Sequence, residues 1–145
     1  ATNRFFPAMG NHDYTDGGQS TAYFNYFTLP NNERYFDFVQ GPVHFFVIDS
    51  NPAGTGSAPG DGRSAISAQG TWLQAGLAAS TSPWKVVYMH HPPFSSGSTH
   101  GSEVAMQWPY EAWGATAVLA VRHPPRLRSL GAQERPSPPV QRFPR

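Results

Sequence analysis

Cysteine is absent from all 145 residues, which excludes disulfides and thiolate ligands and leaves nitrogen and oxygen as donors for any metal ion. No run of eighteen apolar residues occurs, so no transmembrane helix is expected. Apolar residues nevertheless make up 39% of the chain, with ten Phe, six Tyr and four Trp, which is typical of a folded domain. The length suits one domain with a core and is too short for two ordinary ones.

The formal net charge of +1 conceals two unlike segments. Residues 1–120 carry four basic side chains against eight acidic ones, a balance of −4. Residues 121–145 carry six arginines against one glutamate, a balance of +5, together with six prolines. We therefore expect a domain over residues 1–121 and a disordered, Pro/Arg-rich tail over residues 122–145.

Predicted strands alternate with predicted helices along the domain, and this order favours an α/β layered class. The expected strands are short apolar or alternating runs at 4–9, 34–40, 43–49, 84–89 and 115–121. Gly41-Pro42 should turn the second and third of these into a hairpin, whose second strand is apolar enough to be buried on both faces. The expected helices span 67–79 and 103–113, the latter broken by Pro109.

Two of the predicted strands end in loops that contain histidine. G-N-H-D, at 10–13, follows the first strand, and H-H-P-P, at 90–93, follows the strand at 84–89. Because ligands of open α/β sheets bind beyond the strand ends, the two loops are candidates for one site. An amide oxygen and an imidazole nitrogen suit a divalent metal, and Asp13 could fix the tautomer of the neighbouring His12.

Each of these features also has a purely structural interpretation. Asn11 and Asp13 suit a turn after glycine, and H-H-P-P can simply terminate a strand. His44 lies inside an apolar strand, where a hydrogen-bonded core histidine is the expected role. Asp49 ends the same strand, where a turn-forming role is expected.

The order of several longer segments resembles the calcineurin-like metallophosphoesterases and, within them, the purple acid phosphatase branch. The segments are P-A-M-G-N-H-D-Y at 7–14, the hairpin sequence at 34–51, the stretch at 71–97 that ends in H-H-P-P-F-S-S-G, and T-H-G-S at 99–102. The resemblance spans about residues 2–120. It implies a partial β-sandwich flanked by helices, in α/β/β/α layers.

The resemblance further implies two divalent or trivalent metal ions, Fe with Zn, Mn or Fe, that serve the hydrolysis of small phosphate monoesters. Asn11 would be the amide ligand and His90 the imidazole ligand of the second metal. His12 would contact the phosphate or help protonate the leaving group, with Asp13 orienting it. The implied substrate-binding residues are His91 and His100.

The sequence also departs from the family pattern. The family's D-x-H and G-D-x-x-Y motifs would lie upstream of Gly10. The segment V-R-H-P-P-R stands where the family has G-H-x-H, and we assign no role to its histidine, His123. We therefore expect an internal fragment of a phosphatase, inactive alone. The alternative is a non-catalytic binding domain that retains the fold.

Expectations about partners are correspondingly limited. A small phosphate ester is the expected substrate, no nucleic acid or membrane is expected, and the family favours a secreted or periplasmic protein. The arginine-rich tail leaves open an arm for nucleic acid or anionic surfaces, which salt-sensitive binding lost on deletion of 122–145 would reveal. The sequence assigns no oligomeric state.

A shifted reading frame is our hypothesis for the tail. Codons can be chosen for V-R-H-P-P-R-L-R-S such that reading one base later gives S-G-T-R-H-A-Y-E, which restores a glycine and a histidine of the last family motif. The charge balance changes at the same point. Sequencing the gene should show this glycine-histidine segment in the frame one base later, and its absence there would end the hypothesis.

Overall fold

The computed structural model describes residues 5–14, 20–52, 62–97 and 100–120, whose strands form a mixed four-stranded sheet. Strand β1 pairs antiparallel with β2, whereas β2 with β3 and β3 with β4 are parallel. The strands, adjacent in chain order, are β1 (Phe36–Gln40), β2 (Val43–Val47), β3 (Trp84–Met89) and β4 (Ala117–Ala120). The α-helices are α1 (Thr21–Tyr26) and α2 (Ala68–Ala79).

The predicted hairpin and the predicted helix after it are confirmed. Gly41 has φ = 58°, the positive value that the first residue of a two-residue hairpin turn can require, and Gln40 pairs with Val43 across it. A parallel neighbour for β2 requires a crossover connection, which contains α2. Ser67 caps this helix because its Oγ accepts the N–H of Gly70 at 3.2 Å.

Strand β2 buries side chains on both of its faces, as predicted. Phe46 and Val87 belong to a core against α2, and the next residue in β2, Val47, belongs to the opposite core. The α2-side core contains Phe46, Ile48, Leu73, Leu77, Val87, Met89, Met106, Trp108 and Tyr110. The opposite core contains Met9, Tyr14, Tyr23, Leu29, Phe36 and Val47.

The strand predicted at 4–9 is wrong, because residues 5–10 have an irregular backbone. Pro7 has no N–H to donate to a strand ladder. Tyrosine side chains bind this segment instead: the hydroxyl of Tyr88 donates to the carbonyl of Phe6 at 2.6 Å, and that of Tyr23 donates to the carbonyl of Pro7 at 3.1 Å. The approach to the G-N-H-D loop is therefore held by side chains rather than by sheet pairing.

Near the end of the described chain, one prediction is wrong and another is confirmed only in part. The expected helix at 103–113 is a 3₁₀ turn at Val104–Met106 followed by turns up to Gly114, since Pro109 cannot donate a helical hydrogen bond. The strand predicted at 115–121 is confirmed over Ala117–Ala120, but it is not buried as expected: Leu119 is 54% exposed. It has a single strand neighbour within the described residues.

The described residues bear only in part on the predicted sandwich, the predicted tail and the expected absence of a transmembrane helix. The strands in the described ranges form one sheet, so the two-sheet layering of a sandwich stays a prediction. The disordered tail and the domain boundary at 121 lie outside the described residues. No described helix combines the length and the apolar character needed to cross a bilayer.

Buried tyrosines predict that the fold loses stability in alkali. Burial raises the pKa of Tyr23, Tyr88 and Tyr110 above the usual range. The unfolded phenols ionise near pH ~10 while the folded ones remain neutral, so the free energy of unfolding should be unaffected below that pH and fall above it. Urea unfolding between pH ~8 and ~11 measures this, with a decline of up to about 1.4 kcal/mol per pH unit for each such group.

Replacing Tyr110 by Phe should reduce the steepness of the alkaline decline, because one ionisable phenol is removed. The hydroxyl of Tyr110 donates to the carbonyl of Met106 at 2.7 Å, so the variant also loses stability at neutral pH. The two proteins must therefore be compared by the slope of their unfolding free energy against pH. A slope identical to that of the wild type would contradict the assignment to Tyr110.

Candidate functional site

Asn11 and His90 meet although 79 residues separate them in the chain. Asn11 opens a 3₁₀ turn, Asn11–Asp13, and His90 follows the last residue of β3. The Oδ1 atom of Asn11 lies 3.0 Å from the Nε2 atom of His90. The two histidine-containing loops thus converge as predicted, although the segment before Gly10 is not a strand.

The glycine before this turn permits the close approach of the two loops. Gly10 has φ = −109°, which any residue can adopt, so the turn itself does not require glycine. A Cβ atom at this position would lie 3.0 Å from Cε1 and Nδ1 of the His90 ring. Glycine is therefore needed for space, not for backbone conformation.

The carboxylate of Asp13 closes the turn. The N–H of Gly10 donates to Asp13 Oδ2 at 2.8 Å, and the N–H of Asp13 donates to the carbonyl of Gly10 at 3.0 Å. Asp13 was expected to orient His12, but its described hydrogen bonds go to the backbone of Gly10. The side chain of His12 is exposed beside Asn11, and its catalytic role stays a prediction.

The two residues expected to bind substrate occupy different surroundings. His91 is 3% exposed, and its Nδ1 lies 2.9 Å from Oγ of Ser50, a geometry that suits a structural role better than contact with substrate. His100 is half-buried in the loop after β3, where its carbonyl accepts the hydroxyl of Ser95 at 2.9 Å. Both substrate-binding roles stay predictions.

The order of the motifs and the convergence of Asn11 with His90 agree with a comparison against known families. Residues 1–120 match the family model described as calcineurin-like phosphoesterase. The chain belongs to the calcineurin-like phosphoesterase family. No curated protein matches the chain. The family generally binds two metal ions, and its substrates are phosphate esters.

The spacing of Asn11 Oδ1 and His90 Nε2 can be compared with the spacing of two ligands of one metal ion. Two ligand atoms each about 2.1 Å from an ion lie about 3.0 Å apart at the right angle of octahedral coordination. The observed separation of 3.0 Å equals this value and also suits a hydrogen bond. In the described part of the chain, no three His, Asp or Glu side chains group closely enough to hold an ion.

A second group of Ser, His and Asp side chains in the chain resembles the catalytic triad of a serine hydrolase, but its surroundings indicate a structural role. His44 lies with Nε2 2.9 Å from Asp37 Oδ2 and Nδ1 2.8 Å from Ser80 Oγ, which confirms the expectation of a hydrogen-bonded histidine. Ser80 is the C-cap of α2, and the negative end of a helix dipole opposes the oxyanion that a serine nucleophile produces. The contact instead joins β1, β2 and α2.

A groove of about 630 Å³ lies away from the Asn11–His90 pair. It runs along β4, and none of the predicted site residues lines it. Its walls are formed by Phe94, by 108–112 and by 115–118. Since metal chemistry needs donors such as those of the pair, this groove is not the candidate site.

Sequence reasoning did not identify the buried polar residues whose hydrogen bonds hold the segments next to the Asn11–His90 pair. Asp49 was expected to form a turn, which its Oδ1 does by accepting the N–H of Asn51 at 2.9 Å. Its Oδ2 also accepts the hydroxyl of Tyr14 at 2.5 Å, and its backbone N–H donates to Oε1 of Gln69 at 2.5 Å. The available signals were the D-S-N run directly after a buried strand and a glutamine on the inner face of α2.

Replacing Gly10 by Ala should displace the ring of His90 from Asn11. The added Cβ would lie 3.0 Å from the ring, so the ring must move by a few tenths of an ångström, at a cost of about 1–3 kcal/mol in stability. The NMR signals of the His90 ring report this movement.

Gly101→Ala is the matched control, because a Cβ at Gly101 meets no atom within 4 Å. It should leave the His90 signals at their wild-type positions. If the two variants shift the ring signals equally, Gly10 does not control the approach of the loops.

Proposed function

We propose that this chain contributes the second-metal ligands Asn11 and His90 to a phosphomonoesterase of the purple acid phosphatase type. The observation that carries the proposal is the 3.0 Å separation of Asn11 Oδ1 and His90 Nε2, two donors of the kind that divalent transition metals accept. Membership of the calcineurin-like phosphoesterase family supplies the reaction class. The branch and the metals, Fe with Zn, Mn or Fe, rest on the sequence resemblance.

Metal ions held in part by Asn11 and His90 would neutralise phosphate charge and supply an activated water molecule as nucleophile. His12 is exposed one residue after Asn11, where it can reach a phosphate at the metal or give a proton to the departing alkoxide. Asp13 fixes the turn that presents both residues through its bonds to Gly10. His100 is a further substrate contact in this proposal.

We further propose that the chain is inactive alone. A dinuclear centre needs more ligands than one amide and one imidazole, and no cluster of three His, Asp or Glu is present in the described ranges. This shortage equally favours the second candidate, a non-catalytic binding domain that retains the fold. A secreted or periplasmic location accompanies the phosphatase proposal as a family-based prediction.

Metal titration distinguishes the two candidates. Co²⁺ should bind the wild-type chain with d–d absorption bands that report nitrogen and oxygen donors, and His90→Ala or Asn11→Ala should weaken binding at least about tenfold, since even indirect partners of a metal contribute that much. Isothermal titration calorimetry gives the affinities. His12→Gln is the matched control, because His12 is proposed to face substrate and should leave Co²⁺ affinity unchanged.

Hydrolysis of p-nitrophenyl phosphate tests the inactivity. With Zn²⁺, Mn²⁺ or Fe²⁺ added, the chain should release no more nitrophenolate than the metal in buffer. Turnover that His90→Ala abolishes would overturn the inactivity and retain the phosphatase class. A wild-type chain that binds no Co²⁺ would favour the binding domain.

A further inference from the structure

The three residues that follow β2 and Ile48 are polar and yet buried. Asp49, Ser50 and Asn51 are 4%, 0% and 6% exposed, and we refer to them as the 49–51 turn. Burying consecutive polar side chains is costly unless each makes hydrogen bonds. The partners of these three residues therefore indicate what the turn does.

Asp49 and Asn51 hold both ends of the loop that presents Asn11. At the far end, the hydroxyl of Tyr14 donates to Asp49 Oδ2 at 2.5 Å. At the near end, Nδ2 of Asn51 donates to the carbonyl of Met9 at 3.3 Å and to Asp49 Oδ1 at 2.7 Å. The position of the loop relative to β2 is thus set on either side of Asn11.

Ser50 holds His90 indirectly, through contacts with the next residue, His91. The backbone N–H of His91 donates to Ser50 Oγ at 2.9 Å, and Nδ1 of His91 lies 2.9 Å from the same oxygen. Because Oγ accepts the backbone N–H, the hydroxyl proton is available to Nδ1. The peptide that links His90 to His91 is therefore tied to the turn.

Gln69 fixes the turn to α2. Its Oε1 accepts the N–H of Asp49 at 2.5 Å and its Nε2 donates to the carbonyl of Asp49 at 2.9 Å. The side-chain amide thus pairs with one residue's backbone as a strand neighbour would. Since Gln69 is fully buried in the first turn of α2, the 49–51 turn is joined to the α2-side core.

We propose that the 49–51 turn sets the separation of Asn11 and His90, with Ser50 as the positioning residue for His90 and Asp49, through Tyr14, for Asn11. The turn reaches both loops and touches neither donor atom through the bonds described above. Its significance for metal binding rests on the proposed function. Its effect on the positions of the two side chains does not.

Ser50→Ala removes both contacts between Ser50 and His91, Tyr14→Phe removes the bond from Tyr14 to Asp49, and each variant retains both ligands. If the proposal is right, each variant binds Co²⁺ about 10–100-fold more weakly than the wild type and shifts the cobalt absorption bands, as loss of outer hydrogen bonds does at metal sites. Tyr14→Phe is nearly isosteric, so it provides a folded variant should Ser50→Ala fail to fold.

Ser80→Ala is the matched control. It removes a serine hydroxyl from Nδ1 of His44 at 2.8 Å, the same kind of contact that Ser50 makes with His91 at 2.9 Å. A comparable loss of stability is expected, whereas Co²⁺ affinity and absorption should equal those of the wild type. Equal affinity in all four proteins would overturn the positioning role and leave the metal assignment intact.

NMR of the metal-free protein separates the two proposals. The side-chain amide of Asn11 and the ring of His90 should shift in Ser50→Ala and Tyr14→Phe more than in Ser80→Ala. If the wild type binds no Co²⁺ but these shifts occur, the proposed function fails and the positioning stands. If the shifts match those of Ser80→Ala, the positioning role is wrong.

Discussion

The parallel pairing of β2 with β3 is the constraint on which the candidate site depends. Parallel strands end at the same edge of a sheet, so the residues after Val47 and those after Met89 emerge side by side. The hydrogen bond between Ile48 N–H and the carbonyl of Tyr88, at 3.1 Å, continues the pairing beyond β2. Because the two segments run side by side, Ser50 Oγ lies within hydrogen-bond distance of Nδ1 of His91.

Two cores hold this edge from opposite faces. The α2-side core contains Met89, the residue before His90, and the opposite core contains Met9, the residue before Gly10. Apolar side chains thus fix the backbone immediately before each half of the pair. Between the cores, the side chains of Asp49 and Ser50 and the Nδ2 of Asn51 make hydrogen bonds, and an unpaired buried group costs about 1–3 kcal/mol.

Several elements were predictable because their signals are local. The alternation of 36–40, the Gly41-Pro42 turn, the apolar runs of β2 and β3 and the helical spacing of α2 each follow from side-chain periodicity. Residues 5–9 and 103–113 were mispredicted because a proline removed the backbone donors that the apolar pattern would otherwise have used. The exposure of Leu119 depends on strand neighbours, which periodicity does not report.

By itself, the sequence determined the family, the order of the G-N-H-D and H-H-P-P motifs along the chain, and the chemical kind of each donor, because these reside in residue identity and spacing. Only the tertiary structure decided that Gly10 leaves space for the ring of His90, that the carboxylate of Asp13 accepts the N–H of Gly10, and that His91 is buried. It also decided the roles of Ser50 and Gln69. The physical reason is that hydrogen bonds and excluded volume act between atoms far apart in the chain, and side-chain periodicity contains no information about which of them will meet.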